Sequence, residues 1–331
     1  MRRPRGSRKF WIPLQITVGA ALSVLLGWLM VRGLDWSDFG QSLRDFPVHL
    51  FILALAAFLV AIVLRAWRWY VLFVQERIGF LQLFLIQNAG IGLNNLSPVR
   101  IVSEPLQLAL VSRRGRISAA TALATLAMEH LMDIFVTASL LGLSIVLLPE
   151  LRGFSIQLAG AVILATVSLL VFLFIARGME AIPGARKVAF LQRAVTAART
   201  LGGSPVRLFL SLLGTLAHWL LLGLSGWIIA QGLDIEVGVA AVVVLFMGSV
   251  FFVSAVPSLP GGAITFEAAV VYTLGLFGIE GEPALVFALM MHVIMFVPST
   301  LIAVIVLPGE GIKMFGRKGP RGRDQSAKRS S

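Results

Sequence analysis

Residues 87–107 read QNAGIGLNNLSPVRIVSEPLQ, and this stretch decides the fold because it places amides, an arginine and a glutamate inside an otherwise apolar chain. Pro98 and Pro105 each remove a backbone donor and disfavour helix in the residue before them, so we expect the helix to break here. In hydrocarbon, a broken helix is tolerated only where it is buried in protein or lines a watery cavity. The stretch is therefore a candidate binding site. Its polar side chains include those of Asn94, Asn95, Arg100 and Glu104.

The composition around this stretch is that of a membrane protein. Of the 331 residues, 58% are hydrophobic and 13% are charged, whereas soluble domains have about 45–50% apolar and about 25% charged residues. The net charge of +12 would suit a nucleic-acid partner, but the basic residues lie at the ends of apolar spans, as the positive-inside rule predicts. We therefore expect no nucleic-acid partner. The absence of cysteine and the scattering of four histidines predict no metal site and no cofactor.

The predicted fold class is an all-α polytopic membrane protein with about eight membrane segments. Two stretches, residues 80–112 and 237–279, contain proline breaks and are interpreted as broken or re-entrant helical hairpins. Basic residues flank the first hairpin and acidic residues flank the second, so the hairpins should enter from opposite faces. Six further stretches are long enough to span fully, near residues 11–31, 48–74, 117–147, 155–176, 207–232 and 283–307.

A single transmembrane domain, residues 11–308, is expected between a basic tail at residues 1–10 and a disordered basic tail at residues 309–331. Both tails should lie in the cytoplasm, because Lys and Arg concentrate on that side. Residues 177–206 mix basic with apolar side chains and predict an amphipathic helix on the cytoplasmic face. We expect anionic inner-leaflet lipid to contact residues 177–207.

Arg65 and Arg68 end the second span, and their spacing puts them on one helix face. The more common explanation is a snorkelling belt at the inner interface, and the other is a phosphate-binding pair that faces a cavity. The sequence leaves both open.

Glu129 and Asp133 lie four residues apart within the third span and so share a helix face. Two acids inside one span should face the protein interior and need a counter-charge. We expect Arg100 or Arg65 to supply it. His218, alone in the fifth span, is interpreted as a residue that hydrogen-bonds one helix to another.

The two interrupted segments, residues 94–104 and 257–267, lie in different halves of the chain and enter from opposite faces, which is typical of an inverted-repeat transporter. Such proteins bind substrate near the midplane, where the broken helices meet. We therefore expect Arg100, Glu104 and Glu267 to form one constellation at the midplane, because an unpaired charge at that depth would cost several kcal/mol. Tryptophans should lie at the membrane rims rather than in this cavity.

Five motifs lie along the chain: Arg65-x-x-Arg68-Trp69, Asn95-x-x-Pro98-x-Arg100, Glu104-Pro105-Leu106, Glu129-x-x-x-Asp133, and Pro260-Gly261-Gly262 with Glu267. Together they resemble the lysylphosphatidylglycerol synthase transmembrane-region family over about residues 12–308. The family includes the flippase-like domain of the multiple peptide resistance factor, and the resemblance implies lipid translocation by about eight membrane segments. We expect a stand-alone member without the synthase domain, because only a short polar tail follows the last span.

The leading functional hypothesis is a flippase or scramblase in the cytoplasmic membrane of a prokaryote. It would move a phosphate-bearing lipid, either a phospholipid or a polyprenyl-phosphate lipid, between leaflets. Arginine suits phosphate because its guanidinium offers planar bidentate contacts, while Glu104 and Glu267 could receive a cationic head group or hold the arginines. The predicted substrate-binding residues are Arg65, Arg68, Asn94, Asn95, Arg100, Glu104, Glu129, Asp133, Pro260, Gly261, Gly262 and Glu267.

Two other functions stay open. One is a membrane glycosyltransferase that uses a polyprenyl-phosphate donor, for which Asp35 and Asp38 are the only acids in an outer loop that could act as catalysts. We favour a non-enzymatic transporter, because loops this short offer little surface to an acceptor. The other is a non-catalytic membrane partner subunit, since polar breaks also serve assembly. The sequence does not fix the lipid head group or the oligomeric state.

Overall fold

A computed structural model of the chain describes residues 7–74, 76–97, 103–148, 199–255 and 258–310, with residue 196 and short pieces between residues 153 and 170. All regular structure in these residues is helical. The α-helices are α1 (Ser7–Val31), α2 (Trp36–Asp45), α3 (Val48–Tyr70), α4 (Phe80–Leu96), α5 (Ser103–Arg114), α6 (Ala119–Leu147), α7 (Pro205–Gly232), α8 (Val239–Ala255), α9 (Thr265–Gly275) and α10 (Glu282–Val306). Short 3₁₀ turns lie at Pro260–Gly262 and Leu307–Glu310.

The described helices agree with the predicted class, an all-α multi-pass membrane protein. Within the described residues, α3, α6, α7 and α10 are each long and apolar enough to cross a bilayer. A fifth crossing is possible if α1 and α2, which are bent by 87° at their junction, count as one span. Half of the predicted span at residues 155–176 lies outside the described residues, and so do most of the amphipathic segment at residues 177–206 and the tail from residue 311.

Helix α2 occupies the segment that the sequence analysis assigned to an outer loop. The Asp35 side chain caps it by accepting hydrogen bonds from the backbone N–H groups of Ser37, at 2.8 Å, and Asp38, at 3.4 Å. An Asp at the N-cap satisfies donors that a helix start leaves free. The loop prediction missed this local cap, which gives Asp35 a structural role.

The helices pack in two extended pairs, α3 along α7 and α4 along α10. Apolar side chains of α3, α7, α8, α9 and α10 form one buried cluster, and those of α4, α5, α6 and the end of α3 form a second. The close packing of these side chains holds the helices of each cluster together by van der Waals contacts.

The first predicted break lies between the end of α4 at Leu96 and the start of α5 at Ser103. Pro98 and Arg100 are outside the described residues, but Pro105 is in the first turn of α5. A proline is accepted there because the first N–H groups of a helix have no intrahelical partner. Pro105 therefore begins a helix rather than breaking one.

The second break lies between α8 and α9 and contains an unusual turn. Gly261 and Gly262 have φ angles of 71° and 73°, and Ile264 has a φ of 70°. A branched residue in this left-handed region is strained. The turn also lies against the last turn of α4, because a Cβ added to Gly261 would lie 3.5 Å from the carbonyl oxygen of Asn95.

Gly92 lets α4 approach α10 closely. A Cβ at this position would lie against the backbone carbonyl of Ser299 and the side chain of Ala303. We expect Gly92→Ala to lower the free energy of unfolding by about 1–3 kcal/mol, because overpacking forces backbone shifts. Thermal unfolding of the purified protein in detergent measures this change.

Gly248→Ala is the matched control for Gly92→Ala. Gly248 is an exposed glycine in α8, and a Cβ there would meet nothing within 4 Å. Its replacement should leave stability unchanged or raise it by up to about 1 kcal/mol, because alanine favours helix. Equal unfolding temperatures for the two variants would show that α4 and α10 are not in tight contact.

Candidate functional site

A cavity of about 340 Å³ lies inside the helix bundle, with a polar side formed by α3 to α7 and an apolar side formed by α8 to α10. The apolar side includes Phe266 of α9 and Phe296 of α10. The polar and ionisable lining residues are Arg65, Arg68, Gln87, Asn94, Asn95, Ser103, Glu104, Gln107, Glu129, His130, Asp133 and His218. Ionisable side chains at membrane depth are expensive, so their concentration here marks a functional site.

Arg68 is the most completely neutralised charge of the cavity. Its side chain is buried and lies 3.0 Å from Glu129 Oε1 and 2.8 Å from Asp133 Oδ1. Its Nη1 also donates a hydrogen bond to the hydroxyl of Thr215 in α7, at 3.1 Å. The spacing of Glu129 and Asp133, one helical turn apart, lets both carboxylates reach one guanidinium.

Neighbouring side chains fix both carboxylates in place. Gln87 donates from Nε2 to Glu129 Oε1 at 3.1 Å, and Trp219 donates from Nε1 to Asp133 Oδ1 at 2.9 Å. Buried charges need such additional hydrogen bonds to offset their lost hydration. The arrangement therefore holds α3, α4, α6 and α7 together.

The counter-charge of Glu129 and Asp133 differs from the prediction. The sequence analysis expected Arg100 or Arg65, and the structure places Arg68 there. The snorkelling explanation is wrong for Arg68, whose side chain is only 4% exposed. Sequence spacing could not decide between the two arginines, because both share the cavity face of α3.

Arg65 lines the same cavity but has no ion pair among the described residues. Its Nη2 donates to Asn88 Oδ1 at 3.1 Å, and its Nε is buried without a hydrogen-bond partner. The Oε1 of Gln87 and the Oδ1 of Asn94 are also buried and unpartnered. Buried polar atoms of this kind normally have partners, so the cavity presents both donors and acceptors to a ligand.

The remaining predicted residues of the first break have different roles. Asn95 donates from Nδ2 to the carbonyl of Phe296 at 3.3 Å and to Thr300 Oγ1 at 3.1 Å, so it ties α4 to α10. Glu104 is about half exposed and lies 4.0 Å from His130 Nε2. Glu104 is thus the cavity carboxylate most accessible to a ligand. Arg100 lies outside the described residues.

Glu267 does not line the cavity, although it was expected beside Arg100 and Glu104. Its carboxylate is buried and lies 2.8 Å from Nδ1 of His292, a residue of α10. Phe266, its neighbour in the chain, provides the cavity wall instead. The glycine turn at Pro260–Gly262 contacts the end of α4 next to this pair.

Sequence reasoning missed His292 and the cavity role of Trp219. Trp219 was expected at a membrane rim, but it lines the cavity because its indole N–H reaches Asp133. His292 carried a usable signal, since it lies near the middle of an apolar span. His218 behaves as predicted, with Nδ1 2.9 Å from the carbonyl of Ala61 across the α3–α7 contact.

The described residues contain no group of three His, Cys, Asp or Glu side chains that could hold a metal ion. The charged groups and amides that line the cavity can bind ligands by ion pairs and hydrogen bonds.

The sequence model of one protein family, described as the lysylphosphatidylglycerol synthase TM region, matches residues 16–303. No curated protein and no solved structure gives a match. The match covers most of the 331 residues and agrees with the family suggested by the motifs. Together with the apolar helices, it indicates a multi-pass membrane protein with a lipid-related function. The chain belongs to the lysylphosphatidylglycerol synthase transmembrane-region family.

Proposed function

We propose that this protein is a flippase or scramblase that moves a phosphate-bearing lipid between the leaflets of a prokaryotic cytoplasmic membrane. One observation carries the proposal: Arg65 lines a polar cavity at membrane depth without an ion pair among the described residues. The buried Nε–H of Arg65 has no acceptor among the described residues, and an anion bound in the cavity would supply one. In a protein family associated with membrane lipids, the lipid phosphate is the anion at hand.

The donors of Arg65 suit a phosphate group. One terminal nitrogen is used by Asn88, while Nε has no partner. A guanidinium can offer two parallel N–H groups to two phosphate oxygens, which an ammonium cannot do. Arg68 is less suitable, because Glu129 and Asp133 already occupy it.

The charge balance of the cavity bears on the head group. Arg68 with Glu129 and Asp133 has a net charge of −1, and Arg65 offsets it with +1. A phosphate bound to Arg65 would leave an uncompensated negative charge, which is costly at low dielectric. Glu104, which is half exposed in the same cavity, would favour a head group that also carries a cationic amine.

The two broken helices support an inverted-repeat mechanism. The helices flanking the first break have 17 and 12 residues, and those flanking the second have 17 and 11. The glycine turn of the second break also lies against the end of α4, with Gly261 beside the Asn95 carbonyl. In transporters of this type the substrate site forms where the broken helices meet.

Reconstitution into liposomes with fluorescent lipids tests the proposed function. We expect the protein to speed leaflet exchange, and to act faster on a phosphatidylethanolamine analogue than on a phosphatidylglycerol analogue, because only the first carries an amine. Bleaching of the outer leaflet by an impermeant reductant measures the rate, with protein-free liposomes as the control.

The same liposomes can test the glycosyltransferase alternative. If they contain a polyprenyl-phosphate sugar and an acceptor, transfer of sugar without any leaflet exchange would reject the transporter. Asp35 is a poor candidate for that catalysis, because its carboxylate caps α2.

A further inference from the structure

Glu267 and His292 form a second ionisable site, separate from the arginine cavity. The carboxylate oxygen Oε1 lies 2.8 Å from the imidazole Nδ1, and the side chains are 8% and 19% exposed. The other carboxylate oxygen of Glu267, Oε2, is buried without a partner, and His292 Nδ1 lies close to Oε1 without the alignment of a hydrogen bond. His292 lies near the middle of the 25-residue α10, so the pair should lie near the bilayer midplane.

The helices around this pair contribute no other charge near it. Within the described side chains, α1, α4 and α8 contain no ionisable residue, and α9 adds only the exposed Tyr272. Glu282 of α10 is ten residues before His292, which is about 15 Å along a helix. The charged groups of the cavity lie on the far side of Phe266 and Phe296. Among the residues that the structure describes, the charge is therefore balanced within the pair, which is neutral when it holds one proton.

Aromatic rings connect this pair to the cavity. The His292 ring stacks on Phe296 with centroids 4.2 Å apart, and it meets the edge of Phe266 at 5.5 Å. Both phenylalanines line the cavity. On the other side, the strained glycine turn approaches the imidazole, since a Cβ on Gly261 would lie 3.9 Å from its Nε2. Only the side chains of Phe266 and Phe296 therefore separate His292 from a ligand in the cavity, so a charge or a movement there can affect the imidazole directly.

We propose that Glu267 and His292 form a proton-binding site that couples lipid movement to the pH gradient. The neutral pair holds one proton, and a second proton, taken from water, gives it a charge of +1. With the phosphate, the amine of the head group and Glu104, the neighbouring cavity has a net charge of −1, which the charge of the pair offsets. The proton returns to water when the lipid leaves. The inference rests on the proposed lipid transport. By linkage, a lipid that favours the second proton is itself bound more tightly when that proton is present.

Transport in liposomes with an imposed pH gradient tests the coupling. With one proton moved per lipid, a gradient of about one pH unit should bias the leaflet distribution of the fluorescent phosphatidylethanolamine up to about tenfold. Glu267→Gln and His292→Gln should still exchange lipid but lose this bias. His49→Gln replaces an exposed histidine of α3 and should retain it. Normal bias in both site variants would overturn the proposal while leaving lipid transport intact.

A second measurement does not depend on transport. Infrared difference spectra of the purified protein between about pH 5 and pH 8 should contain carboxyl and imidazole bands that disappear in Glu267→Gln and His292→Gln. If wild-type and variant difference spectra coincide, the pair binds no exchangeable proton and the inference is wrong, whatever the liposomes show. If the bands disappear but wild-type liposomes exchange no lipid, the lipid transport has failed, and with it the coupling.

Discussion

Replacing Arg68 with alanine should destabilise the protein by about 3–5 kcal/mol, because removal of one partner leaves buried charges uncompensated. Glu129 and Asp133 would both lose their ion pair, and Thr215 would lose a donor. We expect little folded protein after extraction into detergent. Size-exclusion chromatography after heating measures the loss of stability, as the fraction of protein that still elutes as a single species.

A combined replacement of the charged residues shows whether Arg68→Ala destabilises the protein because charges are left unbalanced or because side-chain volume is lost. Arg65→Met and Arg68→Met together with Glu129→Gln and Asp133→Asn remove two positive and two negative charges, so the net charge of the cavity does not change, and they keep similar volumes. Replacing a whole buried ion cluster is often neutral for stability, so this variant should unfold close to the wild type. Wild-type stability of Arg68→Ala alone would show that the cluster does not hold the four helices together.

Replacing Arg65 with alanine should slow lipid exchange by about 100-fold, which corresponds to two charge-assisted hydrogen bonds worth about 1.5 kcal/mol each. The variant should still fold, since Arg65 makes a single hydrogen bond within the described part of the chain, to Asn88. It should be less stable than the wild type, because nothing then offsets the net charge of −1 on the Arg68 cluster. Arg65→Lys should recover little activity, because an ammonium cannot make the bidentate contact. The leaflet-exchange rate and the amount of folded protein are measured on the same preparation.

Arg44→Ala is the matched control for Arg65→Ala. Arg44 is an exposed arginine in the last turn of α2, away from the cavity, and its loss should not change the exchange rate. Exchange at the wild-type rate in a folded Arg65→Ala protein would contradict the phosphate-binding role of Arg65.

The parts of the site that the sequence predicted depend on local patterns. Helical spacing placed Glu129 and Asp133 on one face, and both carboxylates indeed reach the same arginine. The polar stretch beginning at Gln87 was recognised because amides and charges interrupt an apolar run. Such signals lie within one helix or at one break, so no knowledge of the packing is required.

The contacts that the sequence could not predict join distant elements. The choice of Arg68 over Arg65 depends on which side of α3 faces α6, and the pairing of Glu267 with His292 depends on how α9 packs on α10. Helix α2 was missed for another reason. Its stability comes from a side-chain cap at Asp35 in a segment too short and too polar to be detected as a span.

The hydrogen bond from Arg65 to Asn88 connects the two extended helix pairs, since Arg65 belongs to α3 and Asn88 to α4. Asn88 Oδ1 also accepts a hydrogen bond from the hydroxyl of Ser299 in α10 at 3.0 Å. Asn88 would therefore remain hydrogen-bonded to α10 if its contact with Arg65 were lost. If the proposed phosphate replaces Asn88 as the partner of Arg65, α3 loses this hydrogen bond to α4, while Gln87 still joins α4 to Glu129 of α6. Binding of the proposed substrate would therefore weaken the contact between the two helix pairs without separating them.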